Sequence, residues 1–312
     1  MQGILDKLNS EQLDCVKQTQ GAVLVLAGAG SGKTRVLTHR VAYLINNLGV
    51  SPYNIIAITF TNKAAEEMKD RLISMLGDIS GMWVCTIHSM CNRILRQFAD
   101  RIGYTKAFSI YDEEDKRRVL KDIIKSNADN DEKKDTLIKD VKGAISSAKN
   151  KNLTYEDCFE SGYFGYNTKL FCEIYAEYER RLKKCNALDF DDLILKAYYL
   201  LNSDSECREY FQDKFEYIHI DEFQDTNVLQ YKLIKLLTQK HKNIFAVGDD
   251  DQSIYSFRGA EVENINRFTE DFADTKIFKL QQNYRSTKKI LEVANCVIKN
   301  NSKRMEKKLW TE

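Results

Sequence analysis

Residues 22–34 read AVLVLAGAGSGKT. An unbroken apolar run with no polar alternation is what a strand buried on both faces of a parallel sheet requires. Glycines at 28, 30 and 32 follow at once, and they let the backbone turn without Cβ clashes so that successive N–H groups converge. Lys33 and Thr34 then open TRVLTHRVAYLINNLG (34–49), with apolar residues at steps of three and four and a terminal glycine. Strand, glycine-rich loop and helix in this order make the setting of a phosphate-binding P-loop. Ala27, Gly28, Ala29, Gly30, Ser31 and Gly32 are expected to cradle a triphosphate at the positive end of the helix. Lys33 would reach the β- and γ-phosphates and the Thr34 hydroxyl would ligate Mg²⁺. Ala27 stands where the motif commonly has its first glycine.

Five more apolar runs share the character of the first: NIIAIT (54–59), MWVCT (82–86), EYIHID (216–221), NIFAVG (243–248) and KIFKL (276–280). Helical patterns separate them, which predicts a doubly wound α/β domain. From about Asn92 to Phe211 the chain reads as helical, charged and almost strand-free, an insertion into that domain. Its polar stretch KSNADNDEKKD (125–135) reads as a solvated loop or helix face.

The bulk composition excludes several classes. Of 312 residues 43% are hydrophobic and 30% charged, enough for a core in each of two domains. The net charge of +1 makes any nucleic-acid site a local patch rather than a property of the whole surface. No apolar run approaches the roughly 18 residues of a membrane span, and the N-terminus has no secretory pattern, so a cytoplasmic protein without a membrane partner is expected. Eight cysteines occur without a C-x-x-C pair, which argues against a zinc or iron–sulfur site and for buried free thiols.

A triphosphate site needs acids to hold its metal and to activate water. YIHIDEFQDT (217–226) supplies them at the end of an apolar run: Asp221 to hold Mg²⁺, and Glu222 to orient and deprotonate the attacking water. These features together indicate a nucleoside triphosphatase. A P-loop alone does not give the task.

The task comes from LNSEQ (8–12), AGAGSGKTR (27–35), ITFTNKAAEEM (58–68), TIHS (86–89), LDFDDLI (188–194), IDEFQDT (220–226), VGDDDQSIYSFRGA (247–260) and LQQNYRS (280–286). In this order they closely resemble the superfamily 1 DNA helicases of the UvrD/PcrA/Rep family, from residue 8 to the final KKLWTE. The resemblance implies a RecA-like P-loop sheet flanked by helices, formed by 1–91 and 212–278, with an all-helical subdomain at 92–211. It implies the start of a truncated second RecA-like domain at 279–312. It also implies ATP and Mg²⁺, 3′→5′ movement on single-stranded DNA and at duplex junctions, and repair or replication proteins as partners.

Residue by residue, the resemblance makes Gln12 the reader of the adenine edge, with Arg35 near the nucleotide. Tyr284 would stack on the base and Arg285 would be an arginine finger. Asp249 and Gln252 would face the nucleotide, Gln252 sensing the γ-phosphate. The catalytic set is thus Glu222, Lys33, Gln252 and Arg285. Phe60, Thr61, Asn62, Thr86 and His88 fall in motifs that line the family's single-strand track. Tyr255, Phe257 and Arg258 would offer rings and a cation to bases, and stacking of this kind tolerates any sequence. The family often has tryptophan where Phe257 stands. Alternatives are the first part of a helicase–nuclease subunit, or a passive clamp on single-stranded DNA. The behaviour expected of these 312 residues by themselves is weak nucleotide binding, little DNA-stimulated hydrolysis and no strand separation.

Overall fold

The computed structural model describes residues 2–124, 131–252, 263–300 and 307–312. Eight strands occur among them: β1 (Val23–Ala27), β2 (Ile55–Thr59), β3 (Trp83–Thr86), β4 (Ser109–Tyr111), β5 (Ala187–Asp189), β6 (Tyr217–Ile220), β7 (Ile244–Gly248) and β8 (Lys276–Leu280). Each of the six apolar runs lies on one of them. Six join in one sheet of order β3-β2-β6-β7-β1-β8, and every pairing is parallel. Parallel strands need crossovers, and helices such as Lys33–Leu48 and Asn62–Leu76 supply them. All residues of β1, β2, β6 and β7 are buried, which is why these runs lack polar alternation.

The chain divides into two compact units. The first comprises Met1–Ile87, Arg208–Asn227 and Ile234–Glu312 and contains the six-stranded sheet. Its core packs Val23, Val25, Val36, Leu37, Val41, Ile55 and Val247 around the central strands. The segment from Lys279 onward falls in this unit, and β8 pairs with β1 along its length.

The second unit comprises His88–Cys207 and Val228–Leu233. It is helical, with one addition: β4 and β5 form a two-stranded parallel sheet, Ser109 opposite Ala187 and Tyr111 opposite Asp189. An all-helical subdomain therefore needs correcting to a helical one with a small sheet. Three-residue strands are too short to carry a period that sequence could reveal. The stretch 125–130 lies outside the described residues, and Asp131 begins the helix Asp131–Asn150.

A buried ionic cluster organises this unit. Lys149, fully buried, reaches Glu179 at 2.7 Å, Asp192 at 2.8 Å and Asp189 at 3.0 Å. Asp189 and Asp192 form a reciprocal capping box at the start of the helix Phe190–Ser203. The acids of LDFDDLI thus cap a helix and neutralise a lysine. Burial opposes ionisation of Asp189, but Lys149 and Lys116 outweigh it and hold the carboxyl well below the usual range. Burial and the Asp189 charge push Asp192 up to about 7.

The eight cysteines are free thiols, six of them buried, and burial pushes Cys15 up to about 12, out of reach of thiolate chemistry. Among the described residues no helix is long and apolar enough to cross a membrane.

Lys149→Met would remove the cation shared by the buried Asp189 and Asp192, leaving Asp189 only Lys116, and removing one partner of a buried ion pair costs about 3–5 kcal/mol. Urea unfolding followed by circular dichroism should show a loss of that order. An unchanged midpoint would mean that the cluster is not what holds this unit.

Candidate nucleotide and nucleic-acid site

A parallel sheet gathers the carboxyl ends of its strands along one edge, and ligands of open α/β sheets bind there. That edge carries most of the residues singled out by sequence. The loop Gly28–Gly32 leaves β1, Asp221 and Glu222 follow β6, and Asp249 follows β7. Phe60 to Asn62 follow β2, Thr86 ends β3, and Asn283 to Arg285 follow β8.

Gly32 caps the helix Lys33–Leu48 in the left-handed region, φ 89°, and a Cβ there would lie 3.0 Å from the Gln12 amide nitrogen. Only glycine accepts both constraints. The Ser31 hydroxyl closes the turn by donating to Gly28 O at 2.7 Å. Lys33 Nζ lies 2.6 Å from Glu222 Oε2, and the Thr34 hydroxyl donates to Asp221 Oδ2 at 3.1 Å. The loop and the acids, 187 and 189 residues apart in sequence, therefore touch directly.

Glu222 sits at φ 52°, ψ 47°, a left-handed conformation that a non-glycine residue adopts at a cost. That twist turns its carboxylate toward Lys33. Gln224 then holds it: the amide nitrogen donates to Glu222 Oε2 at 2.9 Å. The oxygen of the same amide accepts from Asp249 N, also at 2.9 Å. Gly248 leaves room for this oxygen, which would stand 2.9 Å from a Cβ at that position. Beyond it, the Asp249 carboxylate accepts from the Gln252 amide, and Gln252 N donates to Asp249 O at 2.9 Å. Lys33, Glu222, Gln224, Asp249 and Gln252 form one continuous polar chain.

Gln12 is fully buried; its amide donates to Ser31 O at 3.0 Å and accepts from Asn9 N at 3.3 Å. One amide proton and one lone pair stay free of these bonds. Arg35 points to the carbonyl of Lys7, away from the acids. Tyr284 N donates to Gly30 O at 2.9 Å, and its half-exposed ring is anchored through the hydroxyl by Asn9 at 2.8 Å. Arg285 has its backbone fixed by Asn283 Oδ1 at 2.8 Å.

The residues read as nucleic-acid contacts are spread more widely. Thr61 and Asn62 are exposed, Thr61 capping the helix Asn62–Leu76, and Phe60 is half-buried. Thr86 is buried at the end of β3. His88 lies in the second unit, edge-on to Phe190 at 6.2 Å between ring centres; burial lowers its pKa and Asp191 opposes that. Tyr255, Phe257 and Arg258 lie outside the described residues.

Sequence reasoning passed over Gln224, Asn9 and Asn283. Asn283 donates to Ala29 O at 2.5 Å and so ties the β8 loop to the P-loop. Gln224 was visible inside IDEFQDT, but nothing in sequence says that its two amide ends face different strands.

Residues 8–273 match the UvrD/REP helicase N-terminal domain, and residues 278–312 match the UvrD-like helicase C-terminal domain. The chain belongs to the UvrD/REP helicase family. It is 50% identical over 312 residues to the ATP-dependent DNA helicase PcrA of Staphylococcus aureus, and equally to that of Staphylococcus epidermidis. Each alignment covers 100% of this chain and 42% of the relative, so the chain spans less than half the length of these family members.

Burial and the neighbouring Glu222 raise the Asp221 carboxyl to about 6, against the lowering effects of Thr34 and Lys33. Burial and Glu222 also raise Asp225, again to about 6. An acid raised in the folded state binds its proton more tightly there than when unfolded. Its contribution to stability is therefore complete below about pH 4 and lost as the pH rises through about 6. Asp221→Asn removes this loss. In the absence of nucleotide the variant should gain on the wild type across that window, by up to about 3 kcal/mol from the two-unit shift. Thermal melts at pH 4 and pH 7.5 check this, and a gain that does not grow with pH would contradict it.

Proposed function

We propose that the protein is an ATP-driven DNA translocase and helicase moving 3′→5′ on single-stranded DNA, working at duplex junctions in repair or replication. The observation that carries this reading is the polar chain from Lys33 to Gln252, which joins the ends of three sheet strands into one hydrogen-bonded unit.

In this reading Lys33 and the loop amides hold the phosphates, and the Arg285 guanidinium steadies charge on the transferred group. Lys33 exchanges its Glu222 partner for phosphate oxygens as nucleotide enters. Glu222, released but still held by Gln224, is then positioned to orient water and take its proton. Thr34 and Asp221 would hold Mg²⁺, because a hydroxyl and a buried carboxylate 3.1 Å apart are hard oxygen donors of the kind this ion takes. The ion supplies charge neutralisation on the phosphates when bound. Tyr284 stacks on the base, and Gln12 has a free amide proton and lone pair with which to read its edge.

On the nucleic-acid side, Phe60, Thr61, Asn62, Thr86 and His88 are the candidates of the sheet edge and the following helix. Tyr255, Phe257 and Arg258 continue the segment that begins at Asp249. Stacking on such rings is worth about 1–3 kcal/mol per base and is indifferent to sequence, which a translocating enzyme needs.

The test is hydrolysis in the presence of single-stranded DNA by the wild type and by Glu222→Gln. A positioned base contributes about 10²–10⁴-fold, so the variant should lose a factor in that range while still binding nucleotide. A measurable DNA-stimulated rate left unchanged in Glu222→Gln would refute the assignment. DNA affinity that ignores a non-hydrolysable ATP analogue would identify a passive clamp instead.

A further inference from the structure

The last described segment folds back onto the nucleotide edge. Trp310 N donates to Gln281 O at 3.1 Å and Asn283 N donates to Trp310 O at 2.7 Å, making a parallel bridge between Gln282 and Trp310. Asn295 grips Leu309 at both ends: its amide donates to Leu309 O at 2.8 Å and accepts from Leu309 N at 3.2 Å. So held, the Leu309 side chain packs on Gly28, where no Cβ would fit beneath it. Lys307 is delivered into the acids after β7.

Those acids are Asp249, Asp250 and Asp251, whose oxygens all lie within 4.8 Å of one another, two of the residues being buried. Three carboxylates this close repel strongly once removed from water. Lys307 Nζ lies 2.6 Å from Asp249 Oδ1 and 3.1 Å from Asp251 Oδ2, and it also pairs with Asp250. The ammonium is itself buried, 6% exposed. Burial penalises its charge, yet the Asp249 and Asp250 carboxylates beside it together outweigh that penalty and raise the Lys307 pKa. It thus fills the place a cation would take among these oxygens.

The consequence reaches the reacting end through Asp249. One oxygen of that carboxylate meets Lys307 and the other accepts from the Gln252 amide. Without the ammonium, the trio would relax apart and the acceptor holding Gln252 would turn with it. We propose that Lys307 is a positioning residue: by fixing the Asp249 carboxylate it aims the Gln252 amide at the γ-phosphate, so that the 307–310 segment governs how well the site tells triphosphate from diphosphate. This rests on the nucleotide reading given above.

The experiment measures equilibrium binding of a fluorescent ADP and of a fluorescent non-hydrolysable ATP analogue to the full 312-residue chain. One well-aimed hydrogen bond is worth on the order of tenfold, so Lys307→Met should weaken the ATP analogue by about that factor. ADP affinity should stay unchanged, and Lys307→Arg should restore most of the loss. Gln252→Ala should show the same selective loss, and combining it with Lys307→Met should add nothing. The double variant Lys307→Gln with Asp251→Asn, which removes one charge of each sign, must behave as Lys307→Met does, and it guards against simple unfolding. Equal losses for both ligands, or none, would overturn the proposal while leaving the nucleotide site intact. A wild type that binds neither ligand, or that binds both as well after Lys33→Ala, would instead overturn the nucleotide reading and this inference with it.

Discussion

Two neighbouring strands, β6 and β7, end in acids that must stay close without repelling each other or drifting apart. A single carboxamide spans them: Gln224 donates to Glu222 with one end and accepts the backbone N–H of Asp249 with the other. An amide is suited to this because it carries donor and acceptor on one rigid plane and no charge of its own. Gln224 and Asp249 are buried, so their bond is shielded from water and its loss would leave an unsatisfied backbone N–H, while the Glu222 carboxylate at the other end is partly exposed. The bridge therefore ties the position of one strand end to that of the other.

Around this bridge the charges are balanced locally. Lys33 meets Glu222, and Lys307 meets the three aspartates after β7. Asp221, hydrogen-bonded by the Thr34 hydroxyl, carries its burial as a raised proton affinity. Under the proposed function, such a site holds charge in reserve for a ligand that brings phosphates and a metal ion. The second unit solves a similar problem with Lys149 and its three carboxylates, which cap and lock helices.

The six strands of the main sheet and the P-loop were legible because a parallel sheet buried on both faces leaves uninterrupted apolar runs, and glycines at 30 and 32 stand where the backbone takes positive φ. That Thr34 and Asp221 lie together agrees with the Mg²⁺ role expected of both, whereas the direct contact of Lys33 with Glu222 had no sign in the sequence. Other features left no local trace. The strands β4 and β5 are too short for periodicity, and the acids of LDFDDLI look the same in sequence whether they bind a ligand or a lysine. Lys307 lies more than fifty residues from the aspartates it meets, in a stretch with no periodic signal. Gln12 and Arg35 were expected at the nucleotide, and the structure shows the first engaged with the P-loop backbone and the second with Lys7.

Under the proposed function, Gln224 provides the coupling between the phosphate end and the DNA end of the site. Its most direct measurement is the affinity of the protein for a single-stranded oligonucleotide, with and without a non-hydrolysable ATP analogue, in the wild type and in Gln224→Met. The analogue should shift wild-type DNA affinity, and the variant, still binding both ligands, should lose the shift. A shift of undiminished size in Gln224→Met would contradict it.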